Sequence, residues 1–525
     1  MSGLPLRIRS VMYHPVVSAI LLAITMLVGV RMVLLAIELP VRESFYAGGW
    51  IGRHLTMLSL KRLVLLGVVL AGAAFWAYRF PNPLARLDAP SRWLYWALLA
   101  AQTYAVALMD YNHYFDSWYA FDRILLVVAA GVVARVPALL PFYLLQLVLL
   151  SGQLEFPHRI GYDHTHKSVT LPLLTAFWLI VSLYPLAKAR LRYWYLLVVL
   201  SLAGAWYVQA GFAKWQLGWV TDNNLYNLVA GAAAFGYGGP DSWLVPVARF
   251  VDRWHQPLQL AGLVTELVLP FFCLPGRRFV RWMLVAFIGF HLLVYVLSGI
   301  FFWQWMLLEG IIFYFIVRYP QRWRTLRKAA YWVPYYLLLL AWPLSVHVTA
   351  LAWLDCGFIN GYYFSLVDDA GRTYRLDSSF FSPYDVGFAK NRFTYTTNNK
   401  YLTNTMGQCY DAELLRLTRA WTADTARAAV ELERLRAESP YFRYNEAHRV
   451  LFHTFLRRFA RNKLRYDPHW ISTVDPPLHM VQGPNQQNFA PAADSLRIDY
   501  REFILLPNLE QLPYRSASLT LPLAD

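Results

Sequence analysis

Short basic loops divide this chain into apolar runs of bilayer length, and no other feature limits its fold as much. The runs occupy residues 15–39, 62–78, 93–109, 123–151, 168–187, 193–213, 258–275, 281–298, 300–317 and 331–354. A helix needs ~20 apolar residues to cross the hydrocarbon layer, and only helices and closed barrels satisfy their backbone there. Charged residues make up 15% of the chain, against about 25% in a soluble domain. The formal net charge of +16 would suit nucleic acid, but the basic residues sit in the short loops between apolar runs. That distribution encodes membrane topology, so the partner it predicts is membrane lipid and not nucleic acid. The 21 tryptophans and 34 tyrosines suit interfacial belts and a lined cavity.

At ~20 residues each, the runs give about ten or eleven spans. The first follows Arg7 and Arg9, is too long for a signal-peptide core and lacks a clear cleavage site. It reads as a retained span, with Arg31 facing protein or water. Residues 123–151 are too long for one upright span and are interrupted at Arg135-Val136-Pro137. A hairpin of two short or tilted helices is preferred there; one broken helix is the alternative.

The loops Lys188/Arg190/Arg192, Arg277/Arg278/Arg281 and Arg318/Arg322/Arg324/Arg327/Lys328 are placed in the cytoplasm by the positive-inside rule. With the hairpin, the N-terminus is cytoplasmic too. Loops 40–61, 110–122, 152–167 and 214–257 then face out, as does everything after residue 355. The predicted fold class is an all-α polytopic membrane bundle over residues 1–355, followed by an extracytoplasmic α+β region over 356–525.

In that C-terminal region Phe364–Arg375 reads as a hairpin turning at Asp368-Asp369-Ala370-Gly371. Residues 411–437 and 441–464 read as helices, the second basic, and Ile498–Leu506 as a strand. The basic helix either lies on anionic lipid or packs on the membrane domain with a solvated face. The three cysteines include no CxxC pair, which argues against a thioredoxin-type redox pair or a zinc ribbon. Cys273 lies in an apolar segment. Cys356 and Cys409 can pair as a disulfide if their region lies outside the cytoplasm.

The chemistry centres on Trp206–Lys214, running on to Gly218-Trp219. At helical spacing Gly204, Tyr207, Gly211 and Lys214 share one side. The two glycines let a neighbouring helix come close, so the lysine faces packed protein. It is then either a snorkelling anchor or an amine kept neutral by apolar packing and available as a base. Glu266 and His291 fall in mid-span, where an ionisable group is expensive and marks a site. A structural pair, formed with each other, is the alternative, and Glu309 and Gln304 read the same way. Loop 152–167 carries His158, His164 and His166 with Glu155 and Asp163. It lacks helical His spacing and cysteine, so no metal is predicted there; it forms the polar wall of a pocket or an exposed loop. His113 orients a substrate or quinone oxygen, or bonds Asp110 or Asp116.

The segment Tyr207-x-x-Ala210-Gly211-x-x-Lys214, with Trp219 after it, resembles the motif of the vitamin K-dependent gamma-carboxylase superfamily. Its bacterial members carry the horizontally transferred transmembrane domain. Three further stretches are similar in the same order: Asp110-Tyr-Asn112-His113-Tyr114, Gly262–Pro270 with Glu266, and Phe290-His291 followed by Phe301-Phe302-Trp303. The likeness covers most of residues 15–320; residues 356–525 do not match the family's β-rich propeptide-binding domain. The resemblance implies Lys214 as catalytic base, with His291 and His113 beside it. Tyr207, Trp219, Glu266, Asn112, His164 and His166 then line a pocket for a reduced vitamin K-like quinone. It also implies a multi-pass protein of a bacterial inner membrane that acts on a peptide or protein. The alternatives are a non-catalytic membrane protein assisting peptide maturation, export or partner assembly, and a transporter, against which stands the lack of an inverted repeat.

Overall fold

The computed structural model describes residues 15–37, 59–79, 84, 87–108, 120–152, 169–187, 194–216, 218–221, 223–234, 236–238, 242–272, 276–326, 328–345, 358–382, 430, 434, 446–465, 476–479, 481, 493–506 and 509–524. Its helices are α1 Pro15–Ile37, α2 Leu60–Arg79, α3 Ala89–Ala107, α4 Ala120–Arg135, α5 Leu140–Gly152, α6 Leu171–Ala187 and α7 Trp194–Gln216. They continue as α8 Asn224–Ala234, α9 Leu244–Leu267, α10 Arg277–Ser298, α11 Trp303–Arg318, α12 Pro320–Leu326 and α13 Ala329–Ser345. The C-terminal region adds β1 Phe358–Asp368, β2 Thr373–Arg375, α14 Glu446–Arg465, β3 Ala493–Leu505 and β4 Gln511–Pro522.

Among the described residues α1, α7 and α10 are long and apolar enough to cross a membrane. They differ in position. The apolar window of α7 is 78% buried, against 39% for α1 and 28% for α10. A helix apolar on every side belongs in the middle of a bundle, and α7 lies against α6, α9 and α13. The outer helices leave apolar faces uncovered, such as Leu21, Ile24, Val28 and Met32 on α1 and Trp282, Val285, Leu292 and Leu293 on α10. Faces of that size and continuity suit lipid.

Residues 123–151 form a hairpin. Gln146 Nε2 donates to the Asp122 carbonyl at 3.3 Å, which brings α5 back beside α4. The turn begins at Val136, which leaves helical geometry (φ −121°, ψ 72°) just before Pro137, as a residue preceding proline does. Ending a helix inside an apolar bundle orphans carbonyls. Here those of Val133, Ala134 and Ala138 accept from Tyr95 Oη, Trp96 Nε1 and Trp178 Nε1 at 2.7, 2.9 and 3.0 Å. The aromatic content thus serves the backbone as well as the core.

One boundary differs from expectation. The predicted outward loop 214–257 is largely helical, holding α8 and the first half of α9. Arg249, Asp252 and Arg253 are exposed on α9 and break its hydropathy, so the apolar run is legible only from residue 258. Trp254 (φ −116°, ψ 20°) interrupts α9 three residues before Pro257. Proline removes one backbone bond and crowds the preceding turn, which kinks a helix.

The C-terminal sheet is antiparallel, in the order β2-β1-β3-β4. The expected hairpin is present, with Ser365 opposite Arg375 and Val367 opposite Thr373. The strand expected at 498–506 starts earlier, at Ala493. β4 was not expected, because Pro513 and an exposed polar face hide its alternation. The basic helix buries Phe455, Leu456, Phe459 and Ala460; Phe459 lies against Phe380 and Phe381, Phe381 meets Phe364 of β1, and the helix contacts β4, so its apolar face packs on the C-terminal region. The helix expected over 411–437 lies outside the described residues, apart from 430 and 434.

The turn Asp368–Gly371 carries a pH dependence. Burial alone would raise the Asp368 carboxyl. The Arg372 N–H at 2.8 Å, the Arg372 guanidinium at 2.7 Å and the Tyr374 hydroxyl at 3.2 Å outweigh it and hold the group below the ordinary carboxylate range. A depressed folded pKa contributes stability above the unfolded value, about 3.9. That stability is lost as pH falls through the lower folded value. Hydrogen exchange at the β1–β2 amides is therefore expected to hold steady from pH 7 to about 4 after correction for intrinsic rates and to speed up below that. In Asp368→Asn the step should vanish; a step that survives would assign it elsewhere.

Candidate functional site: a buried lysine–glutamate pair beside a tyrosine–histidine–glutamate cluster

Lys214 lies in the last turn of α7, and that turn is closed by the residues that follow it. Gly218 takes the left-handed conformation (φ 71°). Its N–H bonds the Trp215 carbonyl at 3.2 Å, and the Trp219 N–H reaches back to the Lys214 carbonyl at 3.0 Å. These are the two bonds of a Schellman closure, which favours glycine at this position. The closure folds Trp219 over the lysine, its ring 5.2 Å from Nζ. Phe290 of α10 approaches from another side at 5.4 Å. Gln259 secures this corner, donating to the Trp219 carbonyl at 2.6 Å and accepting the Leu225 N–H at 2.7 Å.

The glycine face works as the sequence suggests. A Cβ on Gly211 would lie 2.9 Å from the Leu267 nitrogen and 3.2 Å from Glu266 Cβ, and one on Gly204 would lie 2.8 Å from Leu339. Only glycine lets α9 approach closely enough to present Glu266. Both Glu266 oxygens then stand 2.6 Å from Lys214 Nζ, with the side chains 5% and 8% exposed. Neither sequence reading of Lys214, a snorkelling anchor or an amine in apolar packing, includes this partner: the site holds an amine and a carboxyl group together. Nor do Glu266 and His291 form the structural pair with each other that stands as the alternative reading. Each has its own partner.

His291 belongs to a second cluster, two helical turns down α7. Tyr207 donates to Glu309 Oε1. His291 lies 3.4 Å from the Tyr207 hydroxyl through Nδ1, and 3.4 Å from Glu309 Oε2. Tyr207, His291 and Glu309 are 5%, 6% and 1% exposed. Aromatic rings wall the cluster: Phe287 stacks on Tyr207 at 3.8 Å, while Phe302 and Trp305 lie 5.0 and 6.3 Å from His291. Seven residues separate Tyr207 from Lys214 on one helix face, about 10 Å along the axis. Phe290 stands between the clusters, touching the lysine from one side and lying 5.8 Å from His291 on the other.

Tyr207, Lys214, Trp219, Glu266 and His291 are thus brought together by α7, α9 and α10. Glu309 joins them on α11; Gln304 faces elsewhere, lining a small cavity with Gln102. Phe290 and Phe302 fall in the stretches that the resemblance picks out; the walls formed by Phe287 and Trp305 and the clamp at Gln259 do not, because apolar and amide residues in apolar runs carry no signal of their own. Asn112, His113, His158, His164 and His166 lie outside the described residues, as do Cys273, Cys356 and Cys409. No family model, curated protein or solved structure matches this chain.

Proposed function

We propose that the chain is a multi-pass membrane enzyme in which the Lys214–Glu266 pair exchanges a proton with a bound apolar acid. The observation that carries this is the burial of two acid–base clusters, Lys214–Glu266 and Tyr207–His291–Glu309, side by side in a bundle with lipid-suited faces. Ionisable groups at such depth are costly and concentrate at functional sites. The likeness to the gamma-carboxylase superfamily falls on these residues and makes the acid a reduced vitamin K-like quinone. The residues present suit one: aromatic faces for a ring, and a lysine, a tyrosine and a histidine as polar contacts. When bound, such a group supplies the reducing power for oxygenation, linked to carboxylation of a peptide or protein. The part of this chain is to hold the ring, exclude water and take up or return a proton at Lys214 Nζ. In this reading the bundle has about ten or eleven spans, counted at ~20 residues each, with residues 356–525 outside the cytoplasm.

Lys214→Met is expected to abolish quinol-dependent epoxidation or carboxylation by the purified protein, a loss of at least ~100-fold, the scale of removing a general base. Full activity in that variant would remove Lys214 from the chemistry. A second reading is favoured by the mutual 2.6 Å contacts of Lys214 and Glu266. They satisfy each other as a structural pair would, in a non-catalytic protein that assists peptide maturation, export or assembly.

A further inference from the structure

An apolar groove of about 640 Å³ runs between α3 and α11 on the outside of the bundle, apart from both buried clusters. Its walls include Trp93, Ala97, Met306, Tyr314 and Phe315, and Arg318 and Tyr319 stand at one end. Gly310 forms part of its floor, and a Cβ added there would meet nothing within 4 Å. Trp93 and Tyr314 are more than half exposed, at 55% and 58%. At the far end Tyr104 and Trp303 meet edge to face at 6.1 Å. The two helices run antiparallel, so the start of α3 and the end of α11 share one end of the groove.

That end is basic. Arg318 lines the groove there and is exposed. Arg277 is already engaged, its guanidinium bonding the Ile316 and Val317 carbonyls at 3.1 and 3.0 Å. The nearby acid is Asp88, buried and capping α3 through the Ser91 N–H at 3.2 Å. From Met306 to Arg318 the groove follows α11 for about 18 Å, close to the ~15 Å of half a hydrocarbon layer.

We propose that this groove is a binding site for an anionic phospholipid. The phosphate lies at Arg318, and one acyl chain lies along Gly310 towards Met306. A guanidinium fork matches phosphate oxygens, and Trp93 and Tyr319 sit where aromatic residues meet headgroups. The proposal rests on the membrane reading of the apolar helices and is independent of the chemistry at Lys214.

The test is native mass spectrometry of the full chain in nanodiscs of equal palmitoyl-oleoyl phosphatidylglycerol and phosphatidylcholine. The wild type is expected to retain phosphatidylglycerol in preference. Arg318→Gln should lower that preference about fivefold, the weight of one basic residue at an anionic surface. Gly310→Leu, which fills the floor without meeting another side chain at Cβ, should reduce retention of both lipids. Equal retention by the wild type, preference unchanged in Arg318→Gln, or total retention unchanged in Gly310→Leu would overturn the assignment. So would a neutral isoprenoid lipid or a second copy of the chain seated in the groove.

Discussion

Replacing Glu266 by leucine is expected to destabilise the bundle by about 3–5 kcal/mol, the cost of leaving a buried charge without its partner. Lys214 cannot readily escape that fate. Its side chain is 8% exposed, the Schellman closure folds Trp219 over it, and the Phe290 ring also lies against it. Adding Lys214→Met to the same chain removes the stranded ammonium. The double variant should then recover most of the loss, because a buried ion pair replaced by apolar side chains of similar volume is often neutral in stability. Thermal unfolding of the purified protein in detergent, followed by circular dichroism, reads both variants. If Glu266→Leu alone melts with the wild type, the 2.6 Å contacts do not hold a charge pair.

The same double variant separates the two functional readings. A structural pair can be replaced by an apolar one, so a protein that merely assembles with a partner keeps its function once stability returns. An acid–base pair cannot be replaced in this way, and the restored fold would be inactive. Stability and activity therefore move together under one reading and apart under the other.

How much of this was legible beforehand follows from the range of each signal. The face Gly204–Tyr207–Gly211–Lys214 was readable because helical periodicity is local and glycine marks close approach. The closure at Gly218-Trp219 lies in the same stretch. The partners were not readable: Glu266 is 52 residues from Lys214 and Glu309 is 102 from Tyr207. Composition shows that each acid must find a partner in an apolar bundle without saying which. Hence Glu266 and His291 stand out in the sequence as buried ionisable groups, while the partners they meet, Lys214 and Glu309, do not follow from it. The α9 kink was hidden for another reason, since the charges on its first half outweighed its helical pattern. β4 was hidden by two prolines and by residues that face water on an edge strand.

A second effect is expected from Gly299, at the end of α10. It ends α10 in the left-handed conformation (φ 74°), and its N–H bonds the Tyr295 carbonyl at 2.8 Å. Its own carbonyl accepts the Val481 N–H at 2.8 Å, and the Phe301 N–H donates to the His479 carbonyl at 2.7 Å. Two backbone bonds thus tie the C-terminal region to the turn leading into α11. His479 rests edge-on against Phe302 at 5.1 Å, and Phe302 in turn walls His291 at 5.0 Å. A Cβ at residue 299 would run into the Val481 carbonyl and stand 3.1 Å from the Tyr237 ring. Gly299→Val therefore costs ~1–3 kcal/mol for the backbone conformation alone, and it displaces His479 and Val481 from the turn. Hydrogen exchange at Phe301 and Val481 should rise. Any Lys214-dependent activity should fall about 100-fold, as it does when a site's supporting groups shift by an ångström. Gly289→Ala on the same helix, where a Cβ meets nothing within 4 Å, should leave both measurements unchanged. Wild-type exchange at those two amides in Gly299→Val would show that the C-terminal region does not close the site.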